Sequence, residues 1–143
     1  MKRIMALGAV VAIGASMLAG CSGSGGEEAA NLDNIKGTWV LEGGTGPKGD
    51  VVAAEGKTPE IVIEGEGAFH ATAGCNNLFG TIKAEGDQLV FSPVASTMMM
   101  CEQPVMDAET TYGGALDVIT SGTVSKDSLV LKGDGAELKF KRG

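Results

Sequence analysis

The chain has 143 residues, with 18 acidic against 11 basic ones, a formal net charge of -7 and aromatics at only 4%. That length closes one hydrophobic core and excludes two substantial domains. An acidic surface repels phosphates and anionic headgroups, and no basic patch exceeds the terminal Lys139, Lys141 and Arg142, so nucleic acid is not expected as a partner.

Lys2 and Arg3 open the chain with positive charge, and an apolar run of small and aliphatic residues follows from Ile4 to Leu18. As a helix, that run spans about 22 Å against roughly 30 Å of bilayer hydrocarbon, which fits the core of an export signal rather than a stable span. The run ends in Leu18-Ala19-Gly20-Cys21, which resembles the lipobox cut by lipoprotein signal peptidase. The expectation is therefore a signal peptide over residues 1–20, cleavage before Cys21, and acylation of the Cys21 thiol. Removing Lys2 and Arg3 takes the basic count from 11 to 9 while the acidic count stays at 18, a net charge of -9.

Residues 21–31 begin Cys21-Ser22-Gly23-Ser24-Gly25-Gly26, a composition expected to form a flexible tether. Several acyl chains on one cysteine hold firmly to a membrane, since each buried methylene adds about 0.8 kcal/mol. Ser22 rather than Asp after the anchor favours outer-membrane sorting. The partner implied is thus a membrane reached through lipid, on the periplasmic face of the outer membrane.

From Ile35 onward the pattern is strand-like. Ile35 to Glu42 begins the domain, with Trp39, the only tryptophan, as an expected core anchor. Gly43 to Lys57 reads as a long glycine-rich loop containing the short apolar stretch Val51-Val52-Ala53-Ala54. Pro59 to Glu64 and Ala68 to Ala73 predict a hairpin across Gly65-Glu66-Gly67, and Leu78 to Ala84 with Gln88 to Val94 repeat that layout around Glu85-Gly86-Asp87.

Glu102 to Ile119 is the one good helical candidate. Pro104 stands where a first-turn proline is tolerated, and Val105, Tyr112, Leu116 and Ile119 make one apolar stripe. Gly113 and Gly114 weaken this helix by roughly 1 kcal/mol each relative to alanine, so a partner surface must hold it. Three strands then close the chain, at Gly122 to Ser125, Ser128 to Lys132 and Glu137 to Lys141. Many short strands and one helix predict an α+β domain over residues 32–143, a small barrel-like antiparallel sheet with one main helix.

Two cysteines remain after Cys21 is lipidated, Cys75 and Cys101, and an even number in an oxidising compartment invites a disulfide. A redox or metal-binding pair is the alternative, but no C-x-x-C spacing or neighbouring histidine accompanies it. Gly74-Cys75-Asn76-Asn77-Leu78-Phe79-Gly80 resembles the GCN-x-(F/Y)-x-G signature of the META-domain (HslJ-like) family. Gly37-Thr38-Trp39-Val40-Leu41, Thr97-Met98-Met99-Met100-Cys101, Glu109 and the pattern from Leu129 to Phe140 are similar to it as well. One departure is Met100, where family members often carry alanine.

The resemblance implies a small envelope or secreted domain, often a lipoprotein, in a family some of whose members are linked to heat shock or antibiotic tolerance. It brings no general enzymatic activity. Gly74 and Asn76 suit a tight turn, and Asn76 and Asn77 can cap buried backbone groups, so Gly74, Asn76, Asn77, Gly80 and Trp39 are expected to be structural.

No catalytic set emerges by counting. The single histidine, His70, lies in an alternating strand and has no G-x-S-x-G elbow to serve, and the glycines from Gly43 to Gly49 lack the strand–loop–helix context of a phosphate loop. Met98-Met99-Met100, with Met106 nearby, offer soft thioethers suited to Cu(I); the plainer expectation is that they fill an irregular core beside the disulfide. No cofactor is expected. The sequence therefore predicts a lipid-anchored, non-catalytic envelope protein that binds an envelope partner and supports integrity under stress, with a copper-binding module or a small hydrolase as alternatives. The segment Gly43 to Lys57 is the expected binding surface, because long loops in compact domains often carry function.

Overall fold

The computed structural model describes residues 26–143, so the expected leader, Cys21 and the start of the tether lie outside the described residues. The strands, in chain order, are β1 (Glu28–Ala29), β2 (Gly37–Gly46), β3 (Gly49–Val51), β4 (Glu60–Ile63), β5 (Ala68–Thr72), β6 (Asn77–Glu85), β7 (Gln88–Phe91) and β8 (Ala95–Ser96). The helix α1 (Gln103–Leu116) follows, and β9 (Ile119–Ser125), β10 (Ser128–Gly133) and β11 (Ala136–Arg142) complete the domain. The sheet order is β1-β9-β10-β11-β2-β4-β5-β6-β7, all antiparallel, with β3 added to β2 and β8 to β6.

The α+β class is as expected, but the sheet curls without closing. β7 comes alongside β9 with no ladder joining them, so "barrel-like" describes the curvature and not a sealed cylinder. Alternation sets the inner face: Ile61 and Ile63 on β4, Phe69 and Ala71 on β5, and Leu78 and Ile82 on β6 are all buried, as a period of two requires of a sheet packed on one side. Trp39 sits in this core, its indole N–H donating to the Ile35 carbonyl at 2.7 Å. The Arg142 guanidinium lies 3.9 Å from the Trp39 ring centroid and donates to the Lys36 carbonyl, fixing the last strand over the indole.

The helix presents Val105, Tyr112 and Leu116 to the core, as the stripe read from the sequence requires, and adds Ala108 and Ala115 to them; Ile119, its expected last member, is buried but already belongs to β9. Burial of the Tyr112 phenol raises its pKa far above the ordinary tyrosine value, with the nearby Glu60 charge adding to the shift, and the hydroxyl donates to the Glu60 carbonyl at 3.2 Å. Because the folded state holds this proton more tightly, stability is complete below pH ~10 and falls above it by about 1.4 kcal/mol per pH unit as the unfolded tyrosine ionises. Tyr112→Phe is expected to cost about 1 kcal/mol at neutral pH and to remove that part of the alkaline decline, as urea titrations at several pH values will show.

Two segments differ from the reading of the sequence. Gly43 to Lys57 is not one long loop: β2 runs on to Gly46 and turns directly into β3. Its glycines serve close approach, since a Cβ on Gly46 stands 2.8 Å from the Ala115 Cβ of the helix. The domain also starts earlier than residue 32, within the span expected to be tether. Glu28 and Ala29 pair with Val124 and Thr123, the Ala30 N–H donates to the Gly122 carbonyl at 2.9 Å, and Ala30 is buried.

Candidate functional site

The signature residues converge on a side chain that the sequence alone did not single out for a role. Asn76, 5% exposed, stands in the turn immediately before β6, where Glu109 on the buried face of α1 is 8% exposed. The Asn76 backbone N–H donates to Glu109 Oε2 at 2.6 Å, and its Nδ2 donates to Oε1 at 2.8 Å. The same Nδ2 donates to the Met99 carbonyl at 3.2 Å, while Oδ1 accepts from the Met99 N–H at 2.6 Å and from Thr97 Oγ1 at 2.8 Å. Thr97 Oγ1 in turn accepts from the Asn77 N–H at 3.0 Å. Asn76 thus uses both ends of its amide and satisfies polar groups that burial would otherwise leave costly.

This clamp gives each part of the signature a physical task. Cys75 and Cys101 are joined in a disulfide with Cα atoms 6.0 Å apart, tying the far end of the loop 97–101 to the turn before β6. Met99 takes part through its backbone, and Thr97 through its hydroxyl. Gly74 has φ +109, and a Cβ there meets the Lys57 side chain at 2.7 Å; both facts require glycine. Gly80 lies under Phe69 and Ser92, each 3.0 Å from an added Cβ. Asn77 differs from its neighbour: its side chain is exposed and its backbone carries the contact.

The methionines are not core filler. Met98, Met99 and Met100 are 94%, 55% and 87% exposed, while Met106 on α1 is partly buried. The reason is the clamp: Met99 turns its N–H and C=O inward to Asn76 and Cys101 is held by Cys75, so the loop lies with its backbone against the hub and its side chains outward. Among the described residues, no group of three or more His, Cys, Asp and Glu side chains is placed to hold a metal ion. His70 is exposed on β5 with its Nδ1 3.7 Å from Glu64 Oε1.

A groove of about 380 Å³ opens between the segment after β3 and the first half of α1. Val52, Ala53, Ala54, Pro104 and Ala108 supply apolar surface, and Asp50, Glu55 and Asp107 supply carboxyl groups, with no lysine or arginine in the lining. Asp107 accepts from Gln103 Nε2 at 2.7 Å; none of the three acids takes part in an ion pair among the described residues. The short apolar stretch inside Gly43 to Lys57 forms one wall, so the segment singled out in the sequence does line a concavity.

A curled antiparallel sheet, one helix, and a disulfide beside an asparagine clamp define a small stapled α+β domain. The chain belongs to the META-domain family, whose model matches residues 30–143. Its fold resembles an NMR structure of a protein from Burkholderia xenovorans, at 19% identity and a TM-score of 0.63 over 100% of this chain and 99% of that one. It also resembles the crystal structure of a DUF4847 family protein from Bacteroides vulgatus, at 14% identity and a TM-score of 0.56 over 79% of this chain and 98% of that one. No curated protein matches the chain.

Proposed function

We propose that this chain is an exported lipoprotein, anchored by acyl chains on Cys21 to the periplasmic face of the outer membrane, that docks another envelope protein and supports envelope integrity under stress without catalysis. The observation that carries the docking role is the groove between the segment after β3 and α1. It combines an apolar floor with three carboxyl groups and no opposing cation in its lining, so the occupant it fits is a protein segment carrying lysine or arginine beside apolar side chains. The anchor rests on Lys2 and Arg3, the apolar run and Leu18-Ala19-Gly20-Cys21; the Cys75–Cys101 bond agrees with an oxidising compartment.

Charge reversal tests the docking. Asp50→Lys with Glu55→Lys changes exposed side chains and is expected to leave thermal stability within about 0.5 kcal/mol of the parent. It is also expected to abolish rescue of a deletion strain under envelope stress. Full rescue by that variant, or a deletion strain with unaltered stress tolerance, contradicts the reading.

A further inference from the structure

Three consecutive methionines held out in solvent by a rigid scaffold are an unusual use of apolar side chains, which a core of few aromatics has every reason to take in. The scaffold is specific. Loop 97–101 is fastened through the Thr97 hydroxyl, both backbone polar groups of Met99, and the Cys101 sulfur. Its thioethers therefore stay exposed whatever happens at their tips.

The rest of the domain concentrates oxidative chemistry on this loop. Trp39 and Tyr112 are fully buried, Cys75 and Cys101 are already joined, and Met106 is partly covered. Among the described residues, Met98, Met99 and Met100 are the accessible soft nucleophiles. We propose that these three form a reversible oxidation site for peroxide or hypohalous oxidants, each taking one oxygen atom.

With hydrogen peroxide, a sulfur lone pair forms an S–O bond as the O–O bond breaks. The sulfur loses two electrons, the peroxide gains them, and the departing oxygen leaves as water after the peroxide protons redistribute. The product is a methionine sulfoxide on the surface, polar where the side chain was apolar. Since the fastening groups are backbone atoms, the Thr97 hydroxyl and the disulfide, none of them changes in this step, and the core is not disturbed. Restoring the site requires a two-electron reduction of the sulfoxide by a thiol-dependent reductase, the class of reaction that consumes this product.

The experiment treats the purified, disulfide-intact protein with increasing hydrogen peroxide and follows each methionine by peptide mass mapping, with a melting curve at every step. The first three oxygen atoms are expected on Met98, Met99 and Met100, with Met106 slower by at least about tenfold. The melting temperature is expected to shift by no more than about 2 °C, and methionine sulfoxide reductases acting on both sulfoxide epimers are expected to return the parent mass. A Met98→Leu/Met99→Leu/Met100→Leu variant should fold equally well and take up little oxygen. Oxidation of Met106 at a rate similar to that of the loop, melting that falls in step with oxygen uptake, or sulfoxides that resist both reductases each overturns the proposal.

Discussion

Asn76→Ala is expected to lower the unfolding free energy by about 3 kcal/mol in a urea titration. The substitution strips two hydrogen bonds between the amide and its α1 and Thr97 partners, at Glu109 Oε1 and Thr97 Oγ1, and two more to the Met99 backbone. Alanine leaves a buried carboxyl oxygen facing a void, and the loss is that of unpaired groups rather than of a methylene or two. Glu109→Ala removes the other side of the same contact and is expected to cost a similar amount. Because both act on one network, the double variant should fall short of the sum by about 1–2 kcal/mol. Additive losses, or a single loss under about 1 kcal/mol, contradict the clamp.

Breaking the Cys75–Cys101 bond is expected to have an effect of equal rank. The bond closes a loop with a sequence separation of 26, and chain-entropy arithmetic assigns such a closure roughly 3–4 kcal/mol. Cys75→Ser with Cys101→Ser should therefore move the urea midpoint down and lower the melting temperature. Native secondary structure should persist at low denaturant, because Asn76 still grips Thr97 and Met99 without the covalent tie. Adding Asn76→Ala to that background removes both fastenings of the loop. Against a domain stability of about 5–15 kcal/mol, the combined variant is expected to be largely unfolded at 37 °C. Circular dichroism of the two variants decides the matter: if the disulfide-free protein is already unfolded, the clamp alone does not hold the loop.

The fold was legible where a local rule sufficed. The β4–β5 and β6–β7 hairpins announce themselves by alternation across Gly65-Glu66-Gly67 and Glu85-Gly86-Asp87, and α1 by Val105, Tyr112 and Leu116. What escaped depends on contacts distant in sequence. The two-residue strand β1 exists because β9 lies beside it, and the glycines of β2 look like loop until Ala115 is seen pressing on Gly46. The curl that stops short of closure is a property of the whole sheet, and no segment encodes it.

The candidate site divides the same way. The disulfide and the structural part played by Gly74, Asn76 and Trp39 follow from the motif, whereas the partner of Asn76 lies 33 residues away. A signal for it did exist: Glu109 falls inside the apolar stripe, between Val105 and Tyr112, where a charged residue needs a buried partner. The exposure of Met98–Met100 had no such signal, because the loop is irregular and its direction is set by Asn76 and Cys75. For the groove, only the Val52-Ala53-Ala54 wall could be read, Val51 beside it being buried in the core; the helix wall required the fold.

In-cell photo-crosslinking bears most directly on the docking role. A photoreactive residue replaces Ala53 in the groove wall and, separately, Lys132 on β10, both exposed, and the joined peptides are identified by mass spectrometry. The account predicts a discrete adduct from position 53 alone, joined to an envelope protein segment bearing lysine or arginine among apolar residues and lost in the Asp50→Lys/Glu55→Lys background. No adduct from position 53, the same adducts from both positions, or an acidic segment in the joined peptide contradicts it.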